Sequence, residues 1–181
     1  VVVLSSAIRR DNPEVAEAER RKLSIIPRAE MLGELMRMKY GVAVAGSHGK
    51  TTTTSMIAKV LGDAGLDPTV IVGGRVLTQT SGARVGTGEY LVAETDESDG
   101  SFCLLRPAIA VVTNIDAEHL SYYGSFGALE SSFQQFMSAV PFYGLVVGCY
   151  DDPVVRRLCE SLKRRVRSYG LSPGHDVVPS D

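Results

Sequence analysis

The sequence lacks any long apolar run, any marked excess of one charge and any close pairing of cysteines. None of its apolar stretches approaches the roughly 18 residues that a membrane span needs, so we expect no membrane insertion. Lysine and arginine total 19 against 21 aspartate and glutamate residues, for a formal net charge of -2. This balance gives no electrostatic reason to expect nucleic acid or an anionic membrane as a partner.

The cysteine content also excludes two kinds of stabilisation. Cys103, Cys149 and Cys159 are odd in number and lie among apolar residues. That pattern predicts a reduced, cytosolic protein rather than one held by disulfides or by cysteine-bound metal. The chain lacks an initial methionine and begins directly on the apolar run VVVL. This run is too short to be the core of a signal peptide, and no basic region precedes it. We therefore expect it to be an internal piece of a longer protein.

Strand-like and helix-like segments alternate along the chain. This alternation predicts an α/β fold with a mainly parallel sheet and helices on both faces. Helices are predicted to begin at Asn12, at Arg28, near Thr51 and at Asp152. The main predicted strands are residues 41–46, 68–74, 89–95, 107–115, 144–150 and 165–171.

Two predicted helices carry apolar residues at helical spacing. In the helix beginning near Thr51, one buried face is expected to contain Met56, Ile57, Val60, Leu61 and Ala64, and Gly65 is expected to end it. A later helix is expected to bury Phe126, Leu129, Phe133, Phe136 and Val140 in the core. His175 lies in a polar, turn-rich ending and is predicted to be a surface residue.

The segment GSHGKTTTTS, residues 46–55, follows a predicted buried strand and opens a predicted helix. In that context, glycine backbone and the unpaired N–H groups of a helix N-terminus form a phosphate site. The loop is shorter than the usual G-x-x-x-x-G-K-[ST], because Val44 stands where the first glycine would be. We expect Lys50 to lie against the β- and γ-phosphates and the Thr51 hydroxyl to bind Mg²⁺. The alternative is a helix start capped by its own run of threonines.

Acidic residues follow the predicted strand EYLVAET. A carboxylate at a strand end beside a phosphate loop commonly holds or orients Mg²⁺, and Glu94 fits that position. For Asp96, Glu97 and Asp99, metal handling and a solvated acidic loop are both open.

The next predicted strand ends in TNIDAEHLSYYGS, which brings Asn114, Asp116, Glu118 and His119 to the same edge of the sheet. Ligands of open α/β sheets bind at the carboxyl ends of the strands, so three successive turns converge there. His119 is a candidate second-metal ligand or phosphate contact, with a structural histidine as the alternative. Because Mg²⁺ prefers oxygen ligands, a histidine ligand indicates tolerance of Mn²⁺ or a specific family.

Four motifs, GSHGKTTTTS, VAETDESDGSF, VVTNIDAEHLSYYGSF and VPFYG, closely resemble in order and spacing those of the Mur ligase family. The resemblance covers nearly the whole chain. It implies a cytoplasmic bacterial ligase of peptidoglycan synthesis that uses ATP with Mg²⁺ or Mn²⁺. In the branch it most resembles, L-alanine is joined to the carboxylate of UDP-N-acetylmuramate through an acyl phosphate.

One absence selects that branch. Relatives that add later residues of the stem peptide resemble one another in a carbamylated lysine downstream of the motif histidine. Here no lysine occurs between Lys59 and Lys163, and the corresponding stretch carries Phe133. A relative that recycles murein tripeptides is the neighbouring alternative.

The resemblance also implies roles for individual residues. Lys50, Glu94 and His119 would be catalytic, with Thr51 and Glu94 holding one metal ion and His119 a second. The implied nucleotide-binding residues are Gly46, Ser47, His48, Gly49, Lys50, Thr51 and Thr52, with His48 as a loop or substrate contact. The implied substrate contacts are Asp96, Ser98 and Asn114. The chain departs from the family at Ser47, usually threonine, and at Glu118 and Ser121, usually aspartates.

The resemblance divides the chain into two parts. Residues 1–39 look like the end of the N-terminal Rossmann-like domain that receives the UDP substrate, and residues 40–181 like an incomplete central ATP-binding domain. The family's C-terminal domain has no counterpart here, so we expect the isolated chain to be inactive. Rival functions are a small P-loop kinase or GTPase and a non-catalytic nucleotide-binding module.

Overall fold

The computed structural model describes residues 1–5, 7–73 and 82–179, which fold into nine strands and six helices. The strands are β1 (Val2–Leu4), β2 (Ile25–Pro27), β3 (Tyr40–Ala45), β4 (Thr69–Ile71), β5 (Ala83–Arg84), β6 (Tyr90–Glu94), β7 (Ile109–Val112), β8 (Leu145–Cys149) and β9 (Val166–Tyr169). The helices are α1 (Pro13–Arg20), α2 (Arg28–Arg37), α3 (Lys50–Asp63), α4 (Leu120–Tyr123), α5 (Phe126–Ser138) and α6 (Pro153–Glu160). Gly74, the last residue of the predicted strand 68–74, lies outside the described residues.

Seven strands form one sheet in the order β5-β4-β6-β3-β7-β8-β9, and β1 pairs with β2 in a separate parallel pair. Within the large sheet all pairings are parallel except that of β4 with β5. The predicted α/β fold is confirmed. Because β3 lies between β6 and β7, the loops that follow these three strands meet at one edge of the sheet.

Helices cover both faces of this sheet. On one face, Ile57 and Leu61 of α3 pack against a cluster of valines that includes Val44 and Val92. On the other face, Phe102 packs against Phe133 and Phe136 of α5, with ring centroids 5.1 and 5.3 Å apart. The larger cluster on that face also takes residues from α2 and α6.

The predicted apolar face of α5 is confirmed, whereas that of α3 is wrong in part. Met56 and Val60 are 64% and 67% exposed. The sheet is contacted instead by Ile57 and Leu61, four residues apart, while Thr54 is fully buried one turn earlier. The helix therefore turns the side that carries Thr54 toward the sheet, so Met56 and Val60 lie in solvent. Ala64, also predicted to be buried, is exposed at the C-terminal end of the helix.

The surface prediction for His175 is also wrong. Its side chain is only 11% exposed, and Nε2 lies 3.6 Å from Asp151 Oδ1. The chain after β9 folds back on that strand, because Gly170 N–H donates to the Val177 carbonyl and Val177 N–H donates to Ser168. This return places the imidazole edge-on to the Tyr150 ring.

Three short elements have no counterpart among the sequence predictions. They are β5, α4 and a single 3₁₀ turn at Ser101–Leu104. The 3₁₀ turn joins the first residues of the chain to the sheet: α2 packs on it, and a Cβ added at Gly33 would lie 3.3 Å from the Leu104 carbonyl oxygen.

The division of the chain near residue 39 stays a prediction. Of the helices in the described ranges, none combines the length and apolar character needed to cross a membrane.

The N-cap of α6 links that helix to the segment that follows β7. Asp152 Oδ1 accepts from Val154 N–H and Val155 N–H at 2.9 and 2.8 Å, and Oδ2 accepts from Ile115 N–H at 3.1 Å. We expect Asp152→Ala to lower the free energy of unfolding by about 1–2 kcal/mol, because these three donors lose their acceptor. Urea unfolding checks this, with Asp152→Asn as the control that keeps a capping oxygen. Equal losses in both variants would contradict the capping role.

Candidate functional site

The loop between β3 and α3 has the backbone of an anion site. Gly46 has φ +140°, and a Cβ there would lie 2.1 Å from Thr113 Oγ1, so only glycine fits. Gly49 has φ +79° and precedes α3 with no side chain to cap its first N–H groups. With no side-chain cap at Gly49 among the described residues, those N–H groups and the positive end of the helix dipole are positioned to bind an anion. The Thr51 hydroxyl donates to Glu94.

The segment after β7 holds this loop in place. Thr113 Oγ1 donates to the His48 carbonyl at 2.7 Å. The Asn114 side chain accepts from His48 N–H at 2.8 Å and donates to the His48 carbonyl at 3.1 Å. Ser47 is buried, and its Oγ accepts from Asp116 N–H at 2.9 Å. Ser47 and Asn114 thus fix the loop backbone, a role that sequence reasoning did not give to Asn114.

Lys50 lies over the loop rather than pointing into solvent. Its Nζ donates to the carbonyls of Gly46 and Ser47 at 2.6 and 3.1 Å and to Glu97 Oε1 at 2.7 Å. The lysine side chain is 15% exposed. A poorly hydrated ammonium at a helix N-terminus is well placed to bind a phosphate.

The predicted partners Thr51 and Glu94 are brought together. Thr51 Oγ1 lies 2.9 Å from both carboxylate oxygens of Glu94, and Glu94 Oε2 also accepts from Gly73 N–H at 3.0 Å. A hydroxyl and a carboxylate in contact supply the hard oxygen donors that Mg²⁺ prefers. Thr52, one residue further along α3, is exposed on the first turn.

His119 lies beside Glu97, in a left-handed backbone conformation with φ +55°. Its Nε2 is 3.9 Å from Glu97 Oε1. Glu97, Glu118 and His119 each offer a ligand atom, and these atoms lie within 4.8 Å of one another. His48 lies near this group, with Nε2 3.8 Å from Glu118 Oε1 and 3.0 Å from Asp116 Oδ2. The Tyr123 hydroxyl donates to the Glu97 carbonyl, and burial raises the pKa of that hydroxyl well above its usual range.

The acidic run after β6 splits into exposed and buried members. Asp96 Oδ1 accepts from Ser98 N–H at 3.0 Å and from Ser98 Oγ at 2.6 Å. Partial burial raises the pKa of Asp96, but these hydrogen bonds and the charges of Arg28 and Lys50 outweigh it and lower the pKa overall. Glu97 is only 3% exposed.

For Glu97 the sequence left metal handling and a solvated acidic loop both open, and its burial excludes the solvated loop. In the segment that follows β6, Thr95 is buried, Asp96 is exposed and Glu97 is buried. The three residues are all polar, so the sequence itself carries no signal for this burial, which depends on contacts with Lys50 and Tyr123.

A cavity of about 890 Å³ opens beside these strand ends. Lys50, Glu94 and Asp96 line it on the side of the large sheet, and Arg10 and Arg28 on the side of residues 1–37. It is large enough for a sizeable small molecule. An anionic group of such a molecule would meet positive charge at Lys50, Arg10 or Arg28.

Comparison with protein families gives two matches. Residues 44–180 match the family model described as Mur ligase middle domain, and residues 1–40 match the one described as Mur ligase family, catalytic domain. The first match alone covers more than half of the chain.

Curated relatives are similar over almost the whole chain. A UDP-N-acetylmuramate--L-alanine ligase from Geobacter sp. (strain M21) is 56% identical over 181 residues, which are 100% of this chain and 39% of the relative. One from Anaeromyxobacter dehalogenans (strain 2CP-C) is 59% identical over 172 residues, 95% of this chain and 38% of the relative. The chain thus spans less than half the length of these relatives.

Among solved structures, a UDP-N-acetylmuramate-alanine ligase from Thermotoga maritima has a TM-score of 0.80 at 31% identity, covering 96% of this chain and 39% of that one. A ligase from Neisseria, described as UDP-N-acetylmuramate:L-alanyl-gamma-D-glutamyl-meso-diaminopimelate ligase, has a TM-score of 0.80 at 26% identity, covering 92% of this chain and 57% of that one.

Proposed function

The chain belongs to the Mur ligase family, and from this we propose that it is the nucleotide-binding part of an ATP-dependent ligase that joins L-alanine to UDP-N-acetylmuramate. The observation that carries the proposal is the set of groups at the loop: Lys50 over the N-terminus of α3, with the Thr51 hydroxyl held 2.9 Å from Glu94. The 56% identity to the Geobacter ligase supports the choice of substrates.

The proposed reaction has two steps, and positive charge is needed in both. A carboxylate oxygen of UDP-N-acetylmuramate attacks the γ-phosphorus of ATP, and the bond from that phosphorus to the bridging oxygen of ADP breaks. The amine of L-alanine then attacks the acyl phosphate carbon, phosphate leaves, and the amine loses a proton. Lys50 and the N–H groups of α3 stabilise the charge on the phosphoryl oxygens, and the fixed loop positions them.

The residues present fit a divalent cation at this site. Thr51 and Glu94 offer hydroxyl and carboxylate oxygens in direct contact, and one buried carboxylate oxygen of Glu97 has no partner among the described residues. Thr51 and Glu94 would hold Mg²⁺, and His119 a second ion with Mn²⁺ as an acceptable substitute. A bound cation would neutralise phosphate charge during transfer.

We place the carboxylate substrate in the cavity beside β6. Glu94 and Lys50 line the cavity at the loop, and Arg10 and Arg28 lie on the opposite wall. Asp96 lines the cavity, and Ser98 is hydrogen-bonded to Asp96, so both are kept as proposed substrate contacts. Asn114 is proposed to act through the loop, since both of its amide atoms bond to His48.

The tripeptide-recycling alternative is not favoured. The TM-scores to the Thermotoga and Neisseria ligases are equal at 0.80, so the fold does not separate the two reactions. The relatives at 56% and 59% identity are both alanine ligases. A kinase, a GTPase or a passive nucleotide module is disfavoured by the same relatives.

A chimera tests the proposed function. We expect the isolated chain not to ligate, and a Geobacter ligase whose aligned 181 residues are replaced by this chain to release phosphate from ATP only with both UDP-N-acetylmuramate and L-alanine. The control is the same chimera carrying Glu94→Gln, which should be inactive. A folded chimera that needs no L-alanine, or turnover by the isolated chain, would contradict the proposal.

A further inference from the structure

Glu97 is a buried carboxylate with only one of its oxygens satisfied. Its side chain is 4% exposed, and Oε1 pairs with Lys50 Nζ at 2.7 Å. Oε2 has no hydrogen-bond partner among residues 1–5, 7–73 and 82–179. A buried carboxylate is costly unless a cation or hydrogen bonds compensate it, so the ion pair with Lys50 is what makes this position tolerable.

Lys50 cannot serve Glu97 and a phosphate equally. An ammonium group has three donors, and here they are directed at the Gly46 carbonyl, the Ser47 carbonyl and Glu97. A phosphate bound at the N-terminus of α3 must take at least part of this ammonium away. Glu97 would then lose its counter-charge while remaining buried.

A replacement cation has ligands at hand. His119 Nε2 lies 3.9 Å from Glu97 Oε1, and Glu118 offers an oxygen in the same group of atoms. Oε2 of Glu97, which has no partner among the described residues, adds a second buried oxygen that could bind a cation. One imidazole nitrogen with carboxylate oxygens suits Mn²⁺ better than Mg²⁺.

We propose that Glu97 is a positioning residue that exchanges partners: it holds Lys50 while no phosphate is bound, and it binds a divalent cation with His119 once a nucleotide phosphate takes Lys50. Nucleotide and cation binding are then positively coupled, and the coupling is reciprocal. The inference rests on the proposed function, because it takes the loop as the nucleotide site, and it adds a link between that site and His119.

The cation side is tested without nucleotide. Lys50→Met frees Glu97, so this variant should bind Mn²⁺ about tenfold more tightly than the wild-type chain does. The affinity is obtained from the concentration of free Mn²⁺, measured by electron paramagnetic resonance. The gain should vanish in the double variant Lys50→Met/Glu97→Gln. Lys59→Met, which removes an exposed lysine from the same helix, should change nothing. Unchanged affinity in Lys50→Met, or a gain that persists in the double variant, would overturn the proposal.

The nucleotide side is tested without metal, in a variant of nearly unchanged shape. In EDTA, Glu97→Gln should bind ATP about tenfold more tightly than wild type, because Lys50 no longer has to leave a carboxylate. The control is Glu130→Gln. This variant removes a carboxylate of α5 that is paired with Arg157 of α6. Unchanged or weaker ATP binding by Glu97→Gln would overturn the exchange.

The two failures are distinguishable. If Mg-ATP binds the wild-type chain but Lys50→Met does not alter Mn²⁺ affinity, the exchange fails and the proposed function stands. If ATP does not bind the wild-type chain under any condition, the proposed function fails and with it the inference that rests on it.

Discussion

Lys50→Met is expected to weaken the binding of Mg-ATP by about 100-fold, or about 2.7 kcal/mol. The lysine is 15% exposed and lies on the loop at the N-terminus of α3, where a phosphate would be shielded from water. Methionine keeps an unbranched side chain of similar length, so the loss reports charge rather than packing. Isothermal titration calorimetry measures it.

The matched control for this variant is Lys59→Met. Lys59 is on the same helix, exposed and paired only with Asp63 in the structure as described. Its replacement should leave the affinity for Mg-ATP within about twofold, as expected for a screened surface charge. Equal weakening by both variants would mean that the loop lysine has no special role.

Mg²⁺ is expected to increase the affinity for ATP, and in Glu94→Gln this increase should be about 50-fold smaller than in the wild-type chain. Glutamine keeps an oxygen to accept from Thr51 but carries no charge, so the loop shape is retained while the cation loses its anionic ligand. In EDTA the variant should bind ATP as well as wild type does or slightly better, since a negative charge near the phosphates is removed.

The measurement is the ratio of ATP affinities with saturating Mg²⁺ and with EDTA, and Glu130→Gln serves as the control. A ratio that is unchanged in Glu94→Gln would show that Glu94 has no part in cation binding. A loss of affinity in EDTA as large as that in Mg²⁺ would instead assign Glu94 a purely structural role through Thr51 and Gly73.

Local sequence patterns were enough to predict the loop and its nearest partners. The order strand, glycine turn and helix determines where an anion binds, because the free N–H groups come from the backbone of α3. The contact between Thr51 and Glu94 follows from the parallel pairing of β3 with β6. The alternation of strands and helices predicts a parallel sheet, but not that these two strands are neighbours. The face of α5 follows from its helical period.

The remaining features depend on packing between distant segments. Met56 and Val60 share the helical period of the buried residues, and only the position of α3 on the sheet leaves them exposed. Asn114 and His175 take their roles from loops that return to the sheet edge, which no local pattern encodes. The burial of Glu97 depends on Tyr123 and on Lys50, 26 and 47 residues away in sequence.

We propose above all that the loop at residues 46–52 binds the phosphates of ATP, with a cation held by Thr51 and Glu94. The most direct test is a crystal structure of the chain with Mg²⁺ and a non-hydrolysable ATP analogue. We expect the β- and γ-phosphates to lie against the N-terminal turn of α3, in contact with Lys50, and the cation to be bound to Thr51 and Glu94. A nucleotide bound elsewhere, or phosphates with no contact to Lys50, would contradict it.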